Sequence, residues 1–493
     1  MDMKKIGLIE LPSINLYDSD GNDWTSFRND YWPMCSKQVL ISNLRDGGFD
    51  VELINLKKGD ETVEFGSVRW RGTDITKTYY GRKIEDLDHG EYDCWGITVN
   101  LSMDREVACM LIKHLAAGGK PVVVGGSGAI ANPETYIHAG ASAVVLDKSG
   151  AVNCSIIDYV LGNPLKQELG KVMLANGSLP SAKISVMSPD VWPLPSVSLA
   201  RECMGDTGYA GNEFMPSGVL VADIGCDRNC DFCQTSSYKL GYHSMSPETL
   251  LRWFEIQKEA GAKSVGIWSD QFAGRLLRAG GRDEIFMLMK RIRELEVPVS
   301  WENGLELKKL TLGHGLPDNN DLRPDNELID TMLRWDGKNG ACVIFIPAER
   351  PVFGRENYQK LLPWREHCEM IRTIVRTGVP YINYGVIIGF PDESYESLSA
   401  LEEALHELSQ EVMSINPSLK LRISLSALCP IPGTAQYMNM RKSGLLRFDD
   451  PSLWGFLTPA LDTHHLSYEE ISDWLTRLLN QFGGDSVGNL YPV

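Results

Sequence analysis

Three cysteines crowd one short stretch, Gly225-Cys226-Asp227-Arg228-Asn229-Cys230-Asp231-Phe232-Cys233, with C-x3-C-x2-C spacing. Three thiolates on one tight loop can ligate three irons of a four-iron, four-sulfur cubane and leave the fourth iron open to a small molecule. The alternative is structural zinc, which wants a fourth protein ligand such as a second C-x2-C or a His pair. The closest downstream histidine, His243, stands alone. The spacing therefore favours a cluster over zinc, with Cys226, Cys230 and Cys233 as the metal ligands. Eight of the 11 cysteines (Cys35, Cys94, Cys109, Cys154, Cys203, Cys342, Cys368 and Cys429) are scattered singly and read as small buried hydrophobes, not a disulfide framework.

Such a loop must be aimed by a strand. Val219 to Ile224 runs into the cysteines as a continuously apolar strand. Ser246 caps and Pro247 opens a helix carrying Leu250, Leu251 and Phe254, which Gly261 ends. Further strands are expected at Val265 to Trp268, Ala341 to Ile346, Tyr384 to Ile388 and Leu421 to Leu428. Repeated βα units predict a full or partial parallel barrel over residues 216–440, with ligands at the strand C-termini. Upstream, strands at Ile6 to Leu11, Val51 to Asn55, Trp95 to Val99, Val122 to Val124 and Val144 to Leu146 alternate with helices around Val39 to Leu44, Val107 to Leu115 and Val152 to Leu161. That alternation predicts a doubly wound, flavodoxin-like α/β domain over residues 1–161. Residues 162–215, rich in Pro, Ser and Gly, read as a linker. A helix near Tyr468 to Phe482 is expected within a small helical C-terminal cap, residues 441–493.

The chain of 493 residues holds 48 Lys plus Arg against 65 Asp plus Glu, a formal charge of −17. So acidic a surface disfavours a phosphate-backbone partner, so no nucleic acid is expected. No stretch approaches the ~20 apolar residues of a membrane helix. The apolar run at the start stops at Glu10 and Pro12, too early for a signal-peptide core. The expectation is a cytoplasmic protein with no membrane partner.

With these motifs the sequence resembles the radical S-adenosylmethionine superfamily. The cysteine motif matches in full. Gly385-Val386-Ile387-Ile388-Gly389-Phe390-Pro391, with Glu393 close behind, is similar to the family's fifth-strand glycine motif, and Cys429-Pro430-Ile431-Pro432-Gly433-Thr434 to its sixth-strand turn. The family's G-G-E segment is replaced by Trp268-Ser269-Asp270-Gln271-Phe272, and its G-I-E-S segment by Pro347-Ala348-Glu349-Arg350. The resemblance implies that Phe232, Asp270, Glu349, Gly385, Ile387 and Gly389 contact S-adenosylmethionine. For the two carboxylates, an acidic residue at a solvated barrel rim is the competing reading. The resemblance also implies an electron donor such as flavodoxin or ferredoxin.

The N-terminal segments Tyr92-Asp93 to Thr98, Val122 to Gly126 and Asn132-Pro133-Glu134 follow the order of the cobalamin-binding domain of the cobalamin-dependent subfamily. This implies cobalamin near Thr98, Asn100, Ser102, Gly125, Gly126 and Ser127. The D-x-H-x-x-G motif is absent: Asn29 to Gln38 contains no His, and His89, His114 and His138 fall elsewhere. Cobalamin bound without a protein His ligand is therefore expected. The function implied is a cobalamin-dependent C-methyltransferase acting on an unactivated carbon of a small molecule or a peptide precursor. Its rivals are the same machinery used for ring contraction, cyclisation or polar methylation of an aromatic carbon, a radical enzyme with an empty N-terminal domain, and a non-catalytic cobalamin and iron–sulfur sensor. Trp268, Trp301, Tyr358, Trp364, Tyr381 and Tyr384 are candidates for a substrate pocket, with core packing as the plainer reading.

Overall fold

The computed structural model describes residues 3–25, 31–353 and 358–483. The first nine strands are β1 (Lys5–Glu10), β2 (Ser13–Tyr17), β3 (Asp50–Asn55), β4 (Glu61–Trp70), β5 (Thr73–Gly81), β6 (Cys94–Thr98), β7 (Val122–Gly125), β8 (Ala143–Val145) and β9 (Val172–Leu174). Six form one sheet in the order β3-β1-β6-β7-β8-β9, parallel except for the last. Both faces are covered, which is why these strands read as unbroken apolar runs. On one face Ile9, Ile97 and Val122 pack with Val107, Leu111 and Leu115 of the helix Arg105–Ala117. On the other, Ile6, Leu8 and Val123 meet Ile41 and Leu44 of Cys35–Asp46 and Ile156 of Asn153–Val160.

Two features differ from the sequence reading. The polar stretch between β3 and β6 folds as β4 and β5, which join β2 in an antiparallel sheet, β2-β5-β4. Its outer strand β4 is exposed or half-exposed along nearly its whole length, so little hydrophobic periodicity marks it. Residues 162–215 are also more than a connector. They supply β9 to the first sheet and the short helix Val197–Glu202, which packs on the helix Pro247–Ala260.

The second sheet comprises β10 (Ser217–Ile224), β11 (His243–Ser244), β12 (Ser264–Ser269), β13 (Val299–Trp301), β14 (Ala341–Glu349), β15 (Tyr381–Ile388) and β16 (Lys420–Ala427). The order is β11-β10-β12-β13-β14-β15-β16, parallel except for β11. Among the described residues β16 does not pair back to β10 or β11, so the barrel is partial and open. Its outward residues, such as Ile344, Ile382, Tyr384 and Ile423, form the large core with the surrounding helices. The helix Tyr468–Phe482 starts at a capping box of Ser467 and Glu470 and lays Ile471, Leu475 and Leu478 into that same core beside β16. The tail thus buttresses the barrel's flank. No helix among the described residues is long and apolar enough to cross a membrane.

Candidate active site

The cysteine loop leaves the C-terminal end of β10. Gly225 makes the turn with φ +81°, and a Cβ there would lie 1.7 Å from the Gly241 carbonyl oxygen, so only glycine fits. The Gly225 N–H donates to Asp270 Oδ2 at 2.7 Å, which ties the loop to the end of β12. Ser236 Oγ lies 2.7 Å from the carbonyl oxygens of both Cys230 and Cys233 and closes the loop. Cys226 Sγ faces the Arg228 N–H at 3.4 Å and Gln271 Nε2 at 3.9 Å. Beneath it, Arg228 forms a forked ion pair with Glu306, and Lys309 reaches Asp227 at 2.8 Å.

Cys230 and Cys233 sit in an apolar nest with Phe232, Tyr358, Ile387, Phe390 and Leu428. Burial pushes the Cys230 thiol up to about 12 and raises Cys226 as well. Among the described residues no three His, Cys, Asp or Glu side chains converge tightly enough for a single ion.

The residues expected at S-adenosylmethionine gather around this nest, several with other duties. Phe232 packs edge-on against Tyr358 and Phe390. Asp270 braces the loop through Gly225 and also lines the large cavity described below. Glu349 is buried at positive φ (54°), paired with Lys360, and keeps Oε2 without a partner. Burial raises its carboxyl even against the Lys360 ammonium. Gly385 makes room for a ring: a Cβ there would lie 2.5 Å from Phe345 Cζ. Gly389, at φ +91°, donates its N–H to Glu393, whose buried carboxyl is pushed up to about 7.

A cavity of about 650 Å³ lies where the C-terminal strand ends of the first sheet face β10 and β12. Thr98, Asn100, Gly125, Gly126 and Ser127 line it, opposite Asp223, Trp268 and Asp270 of the barrel. Ser102 is not in its wall; the neighbouring Met103 and Asp104 are, the latter raised by burial to about 6. The cavity descends as a slot between the sheet face (Ile6, Leu8, Val123, Val145) and the flanking helices (Leu44, Ile156). An apolar slot under a polar mouth fits an amphiphilic ligand with a long aromatic tail, such as cobalamin. Asn29 lies outside the described residues, and His89, His114 and His138 are not in the wall. Gly126, at φ +100°, is required by its own chain, since a Cβ would meet the Val99 carbonyl oxygen at 2.3 Å, whereas Gly125 is uncrowded.

Two contacts had no signal in the sequence. Lys37 is fully buried, with Nζ 2.7 Å from Glu10 Oε2 and bonded to Thr98 Oγ1 at the cavity edge. Gln234, next to Cys233, donates to the Ser127 carbonyl at 2.6 Å, joining the cysteine loop directly to the glycine turn. The Lys37–Thr98 and Gln234–Ser127 contacts join residues 61 and 107 positions apart, beyond the reach of local pattern.

No family model and no curated sequence matches this chain. Solved structures do. The radical S-adenosylmethionine methyltransferase TsrM from Kitasatospora setae, with cobalamin and a [4Fe-4S] cluster bound, aligns over 97% of this chain and 85% of its own, at TM-score 0.58 and 13% identity. The cobalamin-dependent S-adenosylmethionine radical enzyme OxsB, with aqua-cobalamin bound, aligns over 94% of this chain and 65% of its own, at TM-score 0.64 and 16% identity. A further TsrM structure, with tryptophan substrate and a SAM analogue, aligns over 89% of this chain at TM-score 0.58 and 13% identity. The chain has the fold of cobalamin-dependent radical S-adenosylmethionine enzymes. The alignments run over both layers of this chain, the doubly wound sheet and the open barrel.

Proposed function

We propose that this protein is a cobalamin-dependent radical S-adenosylmethionine enzyme, a C-methyltransferase acting on a small molecule or peptide. The observation that carries the reading is the tie of Gln234 to Ser127, which places the cysteine loop against the mouth of the slotted cavity. When bound, the cluster with S-adenosylmethionine supplies a hydrogen-abstracting radical, and cobalamin supplies a methyl group. The chain's own part is to hold and to exclude. Cys226, Cys230 and Cys233 would hold the cluster, and the Arg228 N–H and Gln271, which face Cys226 Sγ, would soften the charge on its thiolate. Asp270 sets the loop's angle, and the apolar nest around Phe232 and Phe390 keeps water off the open side. Thr98, Asn100 and Ser127 offer polar contacts at the cavity mouth.

The test is anaerobic reconstitution with iron, sulfide and hydroxocobalamin, then S-adenosylmethionine and a low-potential reductant with candidate substrates. Mass spectrometry follows 5′-deoxyadenosine, S-adenosylhomocysteine and retained corrinoid, beside Cys230→Ala. Both nucleoside products, lost together in the variant, support a methyltransferase. Deoxyadenosine alone favours a rearrangement or cyclisation. Adenosylhomocysteine alone favours polar methylation, and retained corrinoid with neither product favours a sensor.

A further inference from the structure

A closed (β/α)₈ barrel fills its interior with branched apolar side chains. Here the inward positions are polar or only half buried. On β16 every second residue, Arg422, Ser424 and Ser426, is half buried, while the alternating Ile423, Leu425 and Ala427 are buried against the outer helices. Trp268, Phe345 and Ile387 on β12, β14 and β15 are half buried too. The lumen is therefore not a packed core. The large cavity enters it at Trp268 and Asn303.

There, buried polar groups each keep one atom without a partner among the described residues. Glu302 follows β13 directly and is 8% exposed, and Asn383 on β15 is 1% exposed. Ser300 bonds Glu302 Oε1 and the Tyr209 N–H also serves the carboxyl, yet Oε2 has no partner. Asn383 Oδ1 accepts from Ser424 Oγ at 2.5 Å, and its NH₂ has no partner among the described residues. The indole N–H of Trp268 is unpartnered as well. The strand register sets Phe345 beside Asn383 and Asn383 beside Arg422, with Glu302 next to the Trp301–Ile344 pair, so all four stand at one level. Among the described residues no hydrogen bond or ion pair engages Arg422, whose charge is near enough to act on the Tyr209 hydroxyl; the Tyr209 ring stacks on Phe345 at 5.5 Å. A buried carboxylate oxygen and a buried amide left unpaired each cost on the order of 1–3 kcal/mol, a cost a ligand would remove.

We infer that the lumen level of Glu302, Asn383 and Arg422 binds the zwitterionic head of a free amino acid. Glu302 Oε2 accepts from its ammonium, Asn383 Nδ2 and Arg422 donate to its carboxylate, and Phe345 and Trp268 flank an aromatic or apolar side chain. One acceptor and two donors, one charge of each sign, match an α-amino acid better than a simple amine, a simple acid or a peptide-embedded residue. Burial, which pushes the Glu302 carboxyl up to about 7, favours a partner that brings its own positive charge.

This deepens the reading as an enzyme and is tested without turnover, so either can fail alone. Protein reconstituted with cluster and cobalamin is titrated calorimetrically with L-phenylalanine, 2-phenylethylamine, 3-phenylpropanoate and N-acetylphenylalanine amide. The expected result is that phenylalanine binds at least about tenfold more tightly than each of the others, the scale of one charged hydrogen bond. Glu302→Gln should erase the advantage over phenylpropanoate, and Arg422→Met the advantage over phenylethylamine. Equal affinity for all four, tighter binding of the acetylated amide, or no binding by any of them overturns the assignment. Because the four-ligand comparison uses the unaltered protein, the assignment stays testable even where a variant does not fold.

Discussion

Single side chains set the aim of the cysteine loop, and Asp270 carries most of that duty. Expected from resemblance as a cofactor contact, it has one oxygen committed to the Gly225 N–H. Removing that acceptor leaves a backbone donor at the cluster's edge unpaired, worth roughly 1.5–3 kcal/mol. Asp270→Ala should therefore lose its reconstituted cluster to a chelator at least about tenfold faster than wild type, while Asp270→Asn, which keeps an oxygen, stays near it. Visible absorbance after chelator addition reads this, and equal rates in all three would show that Asp270 does not brace the loop. Gly225→Ala is a harsher change. Positive φ and a 1.7 Å approach to the Gly241 carbonyl act together, so the loop must rearrange. The expected outcome is protein with intact far-ultraviolet dichroism but little bound iron.

Between elements, the helix Trp364–Arg376 meets β15 through a buried hydrogen bond, Tyr384 OH to His367 Nε2 at 2.7 Å. Desolvation drives His367 down to about 4 from an ordinary 6.5. The folded protein thus refuses a proton that the unfolded chain accepts. The contribution is fully present above pH 6.5 and is lost as pH falls from 6.5 through 4, on the order of 3 kcal/mol in all. Urea denaturation of wild type and His367→Gln should show the wild-type advantage at pH 7 shrinking by pH 4.5. An advantage that is flat with pH would mean that His367 titrates normally. The same elements show what local pattern records. Ser246, Pro247 and Gly261 cap and end the helix Pro247–Ala260 as their types require. By contrast β13 left no readable trace, because three residues carry no period.

Across the whole molecule, the tail joins the two layers. Trp70, at the end of β4, is buried with Leu16, Ile75 and Leu453, and its indole N–H donates to the Pro459 carbonyl at 3.2 Å. Arg71 reaches Ser472 at 2.9 Å and pairs with Asp473 on the last helix. Lys77 of β5 pairs with Asp450 at 3.3 Å. The antiparallel sheet that the sequence did not reveal is therefore the handle by which the C-terminal segment grips the N-terminal domain. Trp70→Ala should cost about 3–5 kcal/mol, as large aromatic truncations do. Limited proteolysis should then cut first within residues 61–81 while the barrel stays protected. Uniform cleavage across both layers would argue against so local a role.

The sequence by itself determined the chemistry on offer and the class of fold. Both rest on local information: the spacing of Cys226, Cys230 and Cys233, apolar runs of strand length, and caps at helix ends. It also marked glycines, though not always for the right reason: Gly385 yields to the Phe345 ring and Gly126 to the Val99 backbone. Only the tertiary structure decided what faces the cavity and the lumen. The contacts of Lys37 with Thr98, Gln234 with Ser127 and Ser424 with Asn383 each span about 40 positions or more. Such pairs are selected by burial across sheets and by charge left unpaired in a closed space. Neither leaves a period in the chain that a sequence could display.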